Sequence, residues 1–235
     1  MRHIAGIALA VVFFSSCGLL GPKIEGTFKK GIYEAPSKVF AIPRPDGIVV
    51  GMGDEIQDKV EGDSGIVSFT DVMGNLFRVI YMKRDPSSPF WAHESDGEQA
   101  LNQYQEQFLW MFEQGGVEIS EVYQEDTTVG ERAALYLEFD GKGASHVGPA
   151  DWRGRQKSRV DALVSSISFI EGDYLFHVSR QWTSFSQLTD TEEIDDRTPE
   201  EKVEQKENMR REAIGELKRF AESITFPVGL PKPGE

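Results

Sequence analysis

Cysteine occurs once in this 235-residue chain, at Cys17. A single thiol closes no intramolecular disulfide and builds no multi-cysteine metal site. Histidine is nearly as scarce. His3, His93, His146 and His177 are the full set, and no two stand at the short spacing of a metal-binding pair. No metal site and no cofactor is expected. Long apolar runs are missing after Phe14. A membrane-spanning helix needs roughly 20 such residues, so none is expected in the mature chain. Positive charge is in deficit, with 25 Lys and Arg against 39 Asp and Glu, a net charge of −14. Such a surface repels nucleic acid and anionic head groups, and no nucleic-acid partner is expected. Internal repeats and βαβα alternation are absent too, which argues against a doubly wound parallel sheet.

What the N-terminus does have is a three-part layout. Arg2 supplies a positive charge, Ile4 to Phe14 is uncharged and mostly apolar, and the small residues Ser15 and Ser16 follow. That is the pattern of a secretory signal peptide. Phe14-Ser15-Ser16-Cys17 resembles the lipobox of bacterial lipoproteins, with Phe14 where Leu is usual. The resemblance implies diacylglycerol on the Cys17 thiol, cleavage just before it, and an acyl chain of the palmitate type on the new amine. Gly18, in place of the Asp that retains such proteins at the inner membrane, implies outer-membrane sorting in enterobacteria-like cells. Two or more chains hold a protein firmly at a bilayer, where one is marginal. The expected division is a signal peptide at 1–16, a lipidated tether at 17–30, one domain at 31–228 and a short tail at 229–235. Lys23, Lys29 and Lys30 in the tether either face anionic lipid or are simply solvated.

Hydrophobic content of 39% and aromatic content of 11% fit a globular chain with a substantial core. Val39-Phe40-Ala41-Ile42 is closed by Pro43 and Pro45, which points to an edge strand. Asp46-Gly47 marks a turn before Ile48-Val49-Val50. Residues 65–69 and 76–82 flank the hairpin signature Gly74-Asn75. In the second of these strands Phe77, Val79 and Tyr81 alternate with Leu76, Ile80 and Met82, as in a strand covered on both faces. Ser95 to Glu98 reads as a capping box. The helix after it buries Leu101, Tyr104, Phe108, Met111 and Phe112, and stops at Gly115-Gly116. Strands follow at 117–125, 133–139, 160–170 and 174–182, the last two joined at Gly172-Asp173. Residues 140–159 form a glycine-rich loop. Asp190 to Glu201 holds seven acids against Arg197 alone. Thr198-Pro199-Glu200-Glu201 then opens a closing helix, with a cap and Pro at the first position. Met209, Ala213, Ile214, Leu217, Phe220, Ala221 and Ile224 form its apolar stripe, and its first two turns are polar and project into solvent. Together these elements predict an α+β domain, a mostly antiparallel sheet with helices packed on it.

The layout resembles the PsbP-like fold, shared by a photosystem II extrinsic protein, a Ran-binding nuclear-import factor family and bacterial families of unknown function. The features that carry the likeness are Tyr33-Glu34-Ala35-Pro36 leading into Val39 to Pro43, the mid-chain helix, the late hairpin, and the closing helix that runs into Glu222 to Pro227. It covers roughly residues 31–227, and its motifs are patterns of core residues and turns. The resemblance implies a PsbP-like sandwich that binds or organises other proteins, without catalysis. This chain departs from the compact versions in its 140–159 insert and its acidic 183–205 extension.

Motifs with chemical potential are few. Gly62-Asp63-Ser64-Gly65 has the look of a serine-protease nucleophile segment, but Ile66 stands where a glycine is needed, and the only upstream histidine is His3. It reads better as a turn. Gly51-Met52-Gly53-Asp54 and Gly141-Lys142-Gly143-Ala144-Ser145 lack phosphate-loop spacing. His93 has Glu94 and Asp96 beside it, as any helix start tends to. His177 reads as a packed or surface strand residue. No nucleophile–base pair is discernible, so no catalytic residue is expected. The strongest local departure is segment 141–159, with Lys142, Trp152, Arg153, Arg155, Lys157 and Arg159 against Asp151. Such a patch suits docking to an acidic protein, a phosphate or an anionic glycan, or else it pairs with the acidic 190–201 loop. The leading expectation is a lipid-anchored envelope protein, facing the periplasm, whose domain binds another macromolecule. The alternative is a small-molecule pocket between sheet and helix. Trp110, Trp182 and Tyr81 either line it or belong to the core.

Overall fold

Glycine at the first position of tight turns sets much of the topology. The structure is a computed structural model that describes residues 25–36, 38–45, 55–70, 76–84, 97–147, 158–182 and 198–226. Among these residues are ten strands and two helices. Strands β1 (Thr27–Lys29), β2 (Ile32–Glu34) and β3 (Ala41–Pro43) form a small antiparallel sheet. Strands β4 (Glu55–Glu61), β5 (Ser64–Thr70), β6 (Leu76–Lys83), β7 (Glu118–Val129), β8 (Arg132–Val147), β9 (Ser158–Glu171) and β10 (Tyr174–Trp182) form a larger one, in the order β4-β5-β6-β10-β9-β8-β7. Every pair in it is antiparallel. Three of its hairpins turn on two residues, Gly62-Asp63, Gly130-Glu131 and Gly172-Asp173. The glycines sit at φ +62, +60 and +55, which L side chains rarely adopt. The protease-like segment at Gly62 is thus a hairpin turn, as expected.

Helix α1 (Gly97–Gln114) and helix α2 (Pro199–Glu222) cover opposite faces of the large sheet. Strand alternation makes this possible. Val67, Phe69, Phe77, Val79, Tyr81, Tyr136, Phe169, Phe176 and Val178 face α2 and the small sheet. Leu135, Leu137, Phe139, Val164 and Leu175 face α1. Phe40 from the small sheet meets Tyr81 and Phe176 edge-on, with ring centroids 4.9 and 5.6 Å away. The chain beyond α2 closes the domain. Ala41 and Thr225 exchange backbone hydrogen bonds of 2.9 and 2.8 Å. The domain is therefore α+β with a mostly antiparallel sheet, as the sequence predicts.

The start of α2 follows its sequence signals. Thr198 accepts from the Glu201 amide, the Glu201 carboxylate accepts from the Thr198 amide, and Pro199 follows the cap. Residues 199–205 are exposed. The capping box expected at Ser95 and the Gly74-Asn75 turn lie outside the described residues, as does the strand expected at 48–50.

Two expectations need correction. The folded part begins inside the stretch 17–30 expected to be a tether, since β1 pairs with β2 and Asp58 holds the segment before it. Asp58 accepts from the amides of Glu25 and Gly26, both at 2.7 Å, and from the Tyr33 hydroxyl at 2.8 Å. The glycine-rich stretch 140–159 is also not simply a loop. Strands β8 and β9 run into it from both sides, pairing Ser145 with Val160 and Val147 with Ser158. A bulge between Gly141 and Ser145 absorbs the glycines, with Gly143 at φ +72 and its amide donating to Asp161 at 2.9 Å.

Candidate binding surfaces of helix α1

The residues singled out in the sequence are mostly not where contacts can be read. Cys17, His93, Trp152, Arg153, Arg155 and Lys157 lie outside the described residues. Arg159 is in β9, paired in register with His146. Lys142 is on β8 and exposed, 3.4 Å from Glu118 on the neighbouring strand. Lys142 and Arg159 are thus strand residues, not loop residues. Among the described residues no group of three His, Cys, Asp or Glu side chains could hold a metal ion, and no helix is long and apolar enough to cross a membrane.

Helix α1 instead presents two faces of interest. Its inner face covers polar side chains buried on the sheet. Across β5, β6, β10 and β9 the residues Ser68, Arg78, Ser179 and Ser166 stand side by side in register. The next row holds Ile80, His177, Ser168 and Leu135. Ser166, Ser168, His177 and Ser179 are all buried. Arg78 Nε donates to Ser68 Oγ at 3.5 Å, a long contact. From the helix, Gln105 Nε2 donates to the Leu135 carbonyl at 2.9 Å. Tyr104 and Phe108 lie over the His177 ring, with centroids 5.0 and 4.2 Å away.

His177 Nδ1 and Ser168 Oγ are 2.9 Å apart. This is a serine–histidine pair that the sequence did not disclose, because it forms across the β9–β10 hairpin. Its geometry differs from a catalytic triad, where the distal nitrogen faces the serine and a carboxylate orients the near one. Here Nε2 has no hydrogen-bond partner among the described residues. Burial, and then the nearby Arg78 cation, depress the imidazole to about 3. It is therefore neutral at physiological pH and a weak proton acceptor. Burial lowers Arg78 to about 10, against a smaller opposing pull from Tyr104. Burial also raises the Tyr104 phenol. Gln105 Oε1, like His177 Nε2, is buried without a hydrogen-bond partner among the described residues. This layer offers hydrogen bonding to a polar group, beside the positive charge of Arg78. The signal for it was present: Ser166 and Ser168, then His177, Ser179 and Gln181, each fall two residues apart. Such alternation ordinarily marks a solvated face, and α1 covers it.

The outer face of α1 carries Trp110, 47% exposed. Trp110 lies two residues beyond Phe108, about 200° around the helix, so it points away from the core. Trp182 is 38% exposed at the end of β10, where its ring lies 3.9 Å from the Arg180 guanidinium. Neither tryptophan is a core residue or lines the sheet–helix layer. Tyr81 is fully buried on the opposite face, with the small sheet. Around Trp110, the outer positions of α1 are Gln99, Gln103, Glu106, Gln107, Glu113 and Gln114, with the two glutamates its direct i−4 and i+3 neighbours. Helix α1 contains no Lys or Arg at all, even in its last turn, where the helix dipole favours one.

These features define an α+β domain with a polar buried layer and an exposed aromatic helix face. No protein-family model and no curated protein matches the chain. Among solved structures, the chain is similar to cyanobacterial PsbP from Synechocystis sp. PCC 6803, at 12% identity and TM-score 0.41, over 91% of this chain and 99% of that one. It is also similar to the Pseudomonas aeruginosa protein PA94, of unknown function, at 13% identity and TM-score 0.28, over 72% of this chain and 88% of that one.

Proposed function

We propose that this is an envelope protein, held at a membrane by lipid on Cys17 and sorted to the outer membrane, whose domain binds another macromolecule through the outer face of α1. No catalysis belongs to this reading. The observation that carries it is Trp110 standing exposed on a helix without a single cation, in a protein where 27% of residues are charged. Solvated helix faces are ordinarily laced with pairs of opposite charge. Exposed tryptophan on a helix face whose only charges are the neighbouring Glu106 and Glu113 suits a contact surface. The patch from Lys142 to Arg159 is a second candidate surface in the same reading.

In-cell photocrosslinking from position 107, combined with intact mass, tests it. The expected result is an acylated mass and a discrete crosslinked adduct, both lost on Cys17→Ser. An unprocessed, unlipidated mass overturns the anchoring. A lipidated protein without adduct overturns the contact surface.

A second reading rests on the buried layer. There, His177 Nε2 and Gln105 Oε1 are buried between sheet and helix without hydrogen-bond partners among the described residues, near the Arg78 cation, and a small polar ligand would pair with them. A thermal shift with such a ligand, abolished by Ser168→Ala and indifferent to Trp110→Ala, is its expected outcome. A shift that survives Ser168→Ala, or the absence of any shift, removes it.

A further inference from the structure

The polar layer beneath α1 is closed at one end and open at the other. On β9 and β10 its residues Ser166, Ser168, His177 and Ser179 are buried, while Ser68 on β5 and Arg78 on β6 are half-buried. Solvent therefore reaches the layer from the β5–β6 side. Arg78 stands directly opposite Ser68 on one neighbouring strand and Ser179 on the other. Opposed residues of antiparallel strands share a face, so the guanidinium rises from between two hydroxyl-bearing side chains. Tyr104 of α1 lies near enough for the Arg78 cation to act on its phenol. Tyr104 and Phe108 close the inner end, with ring centroids 5.0 and 4.2 Å from that of His177. The mouth of the layer thus carries one positive charge at neutral pH. Burial brings Arg78 down only to about 10, whereas it holds His177 neutral. A buried polar atom without a partner costs free energy, and His177 Nε2 has none among the described residues.

These groups discriminate among ligands by charge. A cationic ligand would meet like charge at Arg78. A neutral one would forgo the charge-assisted hydrogen bonds that a guanidinium offers. A dianion such as phosphate would bring two charges to one cation, away from bulk water. A carboxylate brings a single charge, and its two oxygens match the planar fork of an arginine. We infer that the mouth of this layer binds a small monocarboxylate, held by Arg78 and by the hydroxyls of Ser68 and Ser179. With the Ser168 hydroxyl donating to Nδ1, His177 Nε2 carries the ring proton and donates toward the inner end of the ligand. The rings of Tyr104 and Phe108 over His177 restrict that ligand to a short chain. This inference rests on the second reading above, the layer as a ligand site, and it names the ligand class.

The test is a thermal-shift titration of the full chain, purified in detergent, at constant pH and ionic strength. The probes are acetate, lactate and butyrate, with their uncharged amides and inorganic phosphate as comparisons. A saturable rise in melting temperature is expected with at least one carboxylate, and neither its amide nor phosphate should match it. Arg78→Gln should weaken binding about tenfold or more, since a hydrogen bond to a charged group is lost. Arg78→Lys keeps the charge without the fork and should recover part of that loss. Ser68→Ala, at the half-buried edge of the layer, should weaken binding a few fold. Its melting temperature without ligand should stay near that of the wild type, which keeps the test valid if Arg78→Gln fails to fold. Binding indifferent to Ser68→Ala and to Arg78→Lys overturns the inference, and so does phosphate binding more tightly than the carboxylates. If the amides bind as well as the carboxylates or better, the ligand site stands and the carboxylate assignment falls. If no probe binds, both fall.

Discussion

His177 Nδ1 and Ser168 Oγ lie 2.9 Å apart on directly opposed residues of β9 and β10, and both side chains are sealed beneath α1. The pair makes stability depend on pH. Burial depresses the folded-state imidazole to about 3, while the unfolded chain titrates at about 6.5. Above that value both states are neutral and nothing is lost. Below it the unfolded chain takes up a proton that the folded one refuses. Stability therefore falls as pH drops from about 6.5 toward 3, by about 1.4 kcal/mol per pH unit from this group. Urea midpoints at pH 7 and pH 5 should draw closer together in His177→Gln than in the wild type. An unchanged gap would place the imidazole in a better solvated or anion-paired setting.

Arg210 and Glu138 tie α2 to the sheet. The Glu138 carboxylate is 2% exposed, and it accepts from Arg210 Nε at 3.0 Å and from the Tyr136 hydroxyl at 2.6 Å. The Arg210 guanidinium also lies 3.8 Å from the centroid of the Tyr123 ring. Removing one partner strands a buried charge. Arg210→Ala is expected to cost about 3–5 kcal/mol, and the double change with Glu138→Gln should recover a large part of it. Denaturant titration of the four-protein cycle measures the coupling. A coupling near zero would show that water already reaches Glu138.

Asp58 clamps the first described residues onto the large sheet through its three donors. Tyr33 is fully buried, so Asp58→Ala leaves its hydroxyl without an acceptor, and its cost should be about 1–3 kcal/mol. Burial, and then the Asp58 hydrogen bond, raise the Tyr33 phenol above its ordinary range. Asp58→Asn keeps an acceptor oxygen and should lose less. Amide exchange should show β1 opening first in Asp58→Ala. Protection unchanged at Gly26 would mean that the small sheet is held by its own ladder.

Much of the fold is legible in local pattern. The period of Leu101, Tyr104, Phe108 and Met111 places α1, and Thr198-Pro199 with Glu201 places the start of α2, because caps and helical periodicity act over a few residues. The glycine turns are legible for the same reason, as a positive φ is a property of one residue. The strand extensions past Gly141 and before Val160 were not legible. Their glycines read as loop, and only pairing across the hairpin with a bulge makes them strand. The candidate surfaces are the least legible part. Local pattern places Trp110 and Trp182 in the core or a pocket, and both are exposed. The serine and histidine rows are invisible to local pattern, since alternating polar residues signal solvent until something covers them.

The sequence by itself determined the class of this domain, the end of α1, the start of α2 and the turns at Gly62 and Gly172. Each of these is set by residues close together in the chain. Only the tertiary structure decided which polar residues are buried and which aromatics are exposed. Burial depends on where α1 lands on the sheet. That landing brings Tyr104 and Phe108 onto His177, more than sixty positions away in the sequence, and leaves Trp110 facing solvent.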